Sequence, residues 1–168
     1  MLILDWLIII IAAGIIVVQT ARSIKDFEYV FFEMLGLLLA AYLVAKYYYP
    51  LSSKTTTNPA LTLLVFYLVC LFVMIIVADL IANKLQFSLA PFDPYLGFIL
   101  AVISAWSILY ILLNVVKIAF PNGLILKLIG KEIIIFDIWD NSPLANEILN
   151  FNSFKAVANF LNRVKLSE

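Results

Sequence analysis

The chain has no histidine and a single cysteine among its 168 residues. The first absence removes the commonest metal ligand and the commonest general base near neutral pH, and with it any Ser/His/Asp set. The second excludes an internal disulfide, so no redox compartment is written in the sequence. Cys70 falls inside an apolar run, where it is expected to serve as a small buried hydrophobe. Glycine occurs five times, with no glycine-rich phosphate loop. Neither sign of charge is in excess, 11 basic residues standing against 11 acidic ones. Without a strongly basic patch, nucleic acid is not expected as a partner. No cofactor, metal site or catalytic residue set is expected, and the chain does not read as an enzyme.

What the chain has in quantity is hydrocarbon. Hydrophobic residues make up 65 % of it, against about 45–50 % in soluble domains, and the mean hydropathy is +1.08. They gather in four runs, Leu2–Ala21, Val30–Tyr49, Leu61–Ala82 and Tyr95–Ala119. Each approaches the ~20 residues that carry a helix across ~30 Å of hydrocarbon. Backbone polar groups find no water partner in lipid, so such runs must be helical. The expected fold is an all-α integral membrane protein. A four-transmembrane-helix bundle covers residues 1–120, and an interfacial tail with a C-terminal amphipathic helix covers 121–168. The lipid bilayer is its first partner. No Lys or Arg precedes the first run, and Gln19-Thr20-Ala21 is a poor cleavage site, so this run reads as an uncleaved span.

Three loops connect the spans. Arg22–Glu28 is short and charged, which returns span two antiparallel beside span one. Pro50–Pro59 reads as a polar loop after an interfacial cluster of Lys46 and Tyr47-Tyr48-Tyr49. The third loop is Leu85–Pro94, and on these boundaries no span holds an internal proline. In the tail, Leu124–Trp139 fits either a helix lying at the interface or a hairpin about Gly130-Lys131. After it, Ser142 as N-cap and Pro143 at the first helical position begin a helix. Its apolar face runs through Leu144, Ile148, Phe151, Phe154, Ala158 and Leu161.

Ionisable groups at membrane depth are functional candidates by default. Asp5 suits the positive end of the first helix, where it caps free N–H groups. Glu33 lies a few residues inside span two, as a carboxylate reaching headgroups or as a buried functional one. Asp79 is expected to emerge at the face opposite Pro59. Gly97, Ala101 and Ala105 recur every four residues in span four and form a flat seam, with Ser104 as a donor beside it. Such seams pack helices within one bundle or join two copies of a chain.

Three elements of the sequence resemble the colicin V production protein (CvpA) family, small four-span proteins of the bacterial inner membrane. The resemblance covers about residues 3–150. In the first element, Asp5 opens an apolar span and Arg22 and Glu28 occupy the following loop. There the family has Arg-Gly-Phe, and Ser23 takes the place of its glycine. The second element runs from Asp93 through Gly97, Ala101 and Ser104 to Ala105. It is similar to the family's Asp-Arg-x-x-Gly-x-x-x-Gly-x-x-Arg-Gly, with Pro94 and Ser104 where the arginines stand. The third is Trp139-x-x-Ser142-x-Leu144. The resemblance implies an accessory role in toxin production and export and in envelope function, without known catalysis. It also implies export-machinery or envelope proteins as partners. The alternative is a small oligomeric transporter or channel using Glu33 and Asp79.

Orientation is close to a tie. Arg22, Lys25 and Lys84 lie on one side, and Lys46, Lys54, Lys117 and Lys127 on the other. The short basic loop next to the first helix breaks the tie, placing both termini outside the cytoplasm.

Overall fold

A computed structural model of the protein describes residues 3–55, 58–85, 92–121, 124–128, 131–136 and 142–150. Four long helices are present: α1 (Ile3–Ser23), α2 (Phe27–Thr55), α3 (Pro59–Ala82) and α4 (Asp93–Ala119). All four are long and apolar enough to cross a membrane, so the chain is an all-α multi-pass bundle in its spanning part. Each helix is longer than the apolar run that marks it, and in α1, α2 and α4 charged residues at the ends complement the helix dipole. Glu28 and Asp93 sit in first turns, and Arg22, Lys54 and Lys117 in last turns. The expected Arg22–Glu28 loop therefore shrinks to residues 24–26.

Two boundaries differ from expectation. The helix of α2 does not stop at Tyr49 but continues through Pro50 to Thr55, so one span does hold an internal proline. Pro50 brings no N–H to the Lys46 carbonyl. In the turn that follows, the Ser52 hydroxyl donates to the Tyr49 carbonyl at 2.9 Å and the Ser53 hydroxyl to the Pro50 carbonyl at 3.0 Å. The polar loop is thus shorter than Pro50–Pro59. Asn58 caps α3 by accepting the Ala60 N–H at 2.9 Å, with Pro59 in the first turn. Likewise Asp93 and Pro94, expected in the third loop, open α4.

The chain divides into two compact units. The larger, Ile9–Pro121, is built on α2, α3 and α4. One cluster buries Ala40, Ala41 and Val44 of α2 with Leu63 and Tyr67 of α3 and Ile111 of α4. A second joins Phe27, Val30 and Met34 of α2 to Leu100 of α4. Lipid supplies no hydrophobic force between helices, so close van der Waals approach must do so. Small residues permit it: a Cβ on Gly36 would lie 3.0 Å from Cβ of Met74, early α2 against late α3. Between Ile9 and Val18, α1 has no buried residue in this unit.

The smaller unit is Met1–Ile8 with Asn122–Glu168, so the first eight residues group with the tail rather than with the spans. Here strands β1 (Leu124–Leu128) and β2 (Lys131–Phe136) pair antiparallel, Leu128 opposite Lys131 and Leu124 opposite Phe136. The register slips between Leu124 and Ile125. Of the two forms expected for this segment, the hairpin is the one adopted. Helix α5 spans Pro143–Asn150, with Ser142 capping it by accepting the Ala145 N–H at 3.2 Å. The remainder of the expected amphipathic face, from Phe151 to Leu161, and Trp139 lie outside the described residues.

Candidate functional site

Three contacts involve four of the candidate residues, Arg22, Glu33, Gly97 and Asp5. The first is an ion pair across the α1–α2 turn. Arg22 occupies the last turn of α1 and Glu33 lies six residues, about 9 Å of helix, past the start of α2. One guanidinium nitrogen, Nη1, meets both carboxylate oxygens of Glu33, Oε1 at 3.3 Å and Oε2 at 3.0 Å. The Glu33 side chain is 11 % exposed and that of Arg22 41 %, so the carboxylate is the deeper partner and the cation reaches in from the rim. Arg22 also donates to Gln19 Oε1 at 3.5 Å and stacks on the Tyr29 ring, 5.0 Å from its centre. A carboxylate held at that depth needs a cation, and Arg22 supplies it. Glu28, the acid nearer in sequence, stays half-buried in the first turn of α2.

The second contact fastens α1 to α4. Ser23 ends α1, is fully buried, and donates to the Thr20 carbonyl at 2.8 Å. It lies directly on Gly97: a Cβ there would fall 1.8 Å from Ser23 Oγ and 2.4 Å from Ser23 Cβ. No side chain fits at 97, because Ser23 already fills the space. Asp93, one turn before, is half-buried in the first turn of α4.

The rest of the seam continues inward. Ala101, Ser104 and Ala105 are at most 2 % exposed, so the small face is covered by this chain's own helices. The expected role of Ser104 as donor needs correcting: its hydroxyl is buried with no hydrogen-bond partner among the described residues. Ser107 instead makes the interhelical bond, donating to the Leu37 carbonyl of α2 at 3.2 Å. Ser107 is one turn from Ser104 by spacing, and only the rotation of α4 decides which of them meets α2.

The third contact belongs to the smaller unit. Asp5 is completely buried in the first turn of α1. It accepts the hydroxyl of Ser142 at 2.5 Å, the same hydroxyl that caps α5. The bond joins residues 137 positions apart and ties Asp5 to the cap of α5, a different contact from the capping of α1 expected of it. Asp79 joins none of these contacts. It is exposed near the end of α3, and no ion pair links it to Glu33 among the described residues.

Comparisons of the chain with protein-family models, with curated proteins and with solved structures found no match in any of the three.

Proposed function

We propose that this chain is an accessory protein of a bacterial inner membrane, of the colicin V production type. It supports toxin production and export and envelope function by presenting helices to partner proteins rather than by chemistry of its own. The observation that carries this reading is the pairing of the three elements of the resemblance. Asp5 of the first meets Ser142 of the third, and Ser23 of the first meets Gly97 of the second. Its partners are the bilayer and an export-machinery or envelope protein, and both termini lie outside the cytoplasm. A transporter path through Glu33 and Asp79 draws less support, since Arg22 already engages Glu33 and Asp79 stays apart from it.

The test is secretion. A bacterium that exports a colicin V-type toxin and lacks its own protein of this kind is expected to release several-fold less toxin. Supplying this chain should restore the zone of growth inhibition. An unchanged zone, with the chain inserted in the membrane at normal abundance, overturns the proposal.

A further inference from the structure

The two ends of the larger unit differ in charge chemistry. Between Ile9 and Pro121 the acidic residues are Asp26, Glu28, Glu33, Asp79 and Asp93. Every one lies where α1 and α3 finish and α2 and α4 begin. No Asp or Glu occurs from Met34 to Ala78, nor from Pro94 to Pro121. The opposite end, where α2 and α4 finish and α3 begins, carries Lys46, Lys54 and Lys117, all exposed.

Lys46 is held in a particular way. Its Nζ lies 5.3 Å from the centre of the Tyr47 ring and 5.7 Å from that of Tyr42. The rings are themselves exposed, Tyr42 at 59 % and Tyr47 at 46 %. Aromatic faces attract an ammonium but accept none of its N–H donors in the manner of an oxygen. No carboxylate pairs with Lys46 among the described residues. The 29 residues of α2 extend about 43 Å, against about 30 Å of hydrocarbon. Its last turns therefore reach the headgroup layer, where Tyr and Lys side chains are stable.

We propose that this end of the bundle binds the phosphate groups of anionic phospholipids. Lys46, held against Tyr42 and Tyr47, is the principal contact, and Lys54 and Lys117 add attraction. The ring cradle keeps the ammonium at the level of the phosphates, and its charge has no ion-pair partner among the described residues. A lysine at a membrane surface strengthens attraction to anionic lipid about fivefold.

The test offers the full chain in detergent equal amounts of phosphatidylglycerol and phosphatidylcholine and counts retained lipids by native mass spectrometry. Phosphatidylglycerol is expected to be retained about fivefold over phosphatidylcholine, and Lys46→Gln to remove most of that preference. Lys25→Gln, exposed at the acidic end, should leave it intact. Three results would overturn the proposal: equal retention of the two lipids, equal losses in the Lys46 and Lys25 variants, or displacement of the lipid by millimolar inorganic phosphate. Circular dichroism confirms that each variant is folded.

Discussion

Gly97→Ala should unfold the end of the bundle where α1 meets α4, and adding Ser23→Gly should largely restore it. The new methyl must occupy a point 1.8 Å from Ser23 Oγ and 2.4 Å from Ser23 Cβ. Rotating the serine hydroxyl relieves the first clash but not the second, because Cβ is fixed to the backbone. Overpacking of this kind costs about 3 kcal/mol. Helix propensity returns about 1 kcal/mol of that, since alanine is preferred to glycine inside a helix, and the clash wins. Ser23→Gly removes both offending atoms and leaves Cα at 3.8 Å, an ordinary contact. Its own cost is the hydrogen bond to Thr20, about 1 kcal/mol. The two substitutions should thus show a favourable coupling of about 3 kcal/mol, the size of the relieved clash, in a double-mutant cycle of unfolding in sodium dodecyl sulfate. Additive effects would mean that residues 23 and 97 do not touch.

Arg22→Ala should cost more than Glu33→Gln, although the two side chains form one ion pair. Removing the arginine leaves a carboxylate, 11 % exposed, at membrane depth without its cation. Removing the charge of Glu33 leaves an arginine whose 41 % exposure lets it turn to headgroups and water. Stranding a buried charge costs about 3–5 kcal/mol in a fully enclosed pair. With one partner at the rim, about 2 kcal/mol is expected for Arg22→Ala and under about 1 kcal/mol for Glu33→Gln. The combined variant should recover much of the arginine loss, because a neutral amide needs no counter-ion. The same unfolding assay reads all three, and an Arg22→Ala loss that the combined variant does not relieve would detach Glu33 from Arg22.

The four spans were legible because lipid makes run length decisive: about 20 apolar residues have few other uses. The ends were not, because Pro50 interrupts the pattern without ending the helix, which runs on to Thr55. The seam of Gly97, Ala101 and Ala105 could be read from its spacing, and its burial follows from it. Which hydroxyl serves it could not, since Ser104 and Ser107 lie about one turn apart on the same side of α4. The cross-chain contacts were the least legible. Arg22 pairs with Glu33 rather than Glu28, and Asp5 with Ser142, through helix rotation and the path of the tail. Ser23 appeared in the sequence only as a departure from a glycine; its burial against Gly97 needed coordinates. Lys46 was visible as an interfacial residue, but its contact with the Tyr42 and Tyr47 rings depends on the helical path of α2, which the sequence alone did not carry past Tyr49.

The measurement closest to the central claim is the sidedness of the two loops that flank α2. In a cysteine-free Cys70→Ala background, Lys25→Cys and Lys54→Cys are introduced singly and exposed to a membrane-impermeant maleimide in intact cells. A helix that crosses the bilayer puts the two on opposite faces. Lys54→Cys is expected to be labelled in intact cells and Lys25→Cys only after the membrane is opened. The reverse pattern would keep the spans and invert the proposed orientation. Labelling of both residues from one side would contradict the four-span bundle itself.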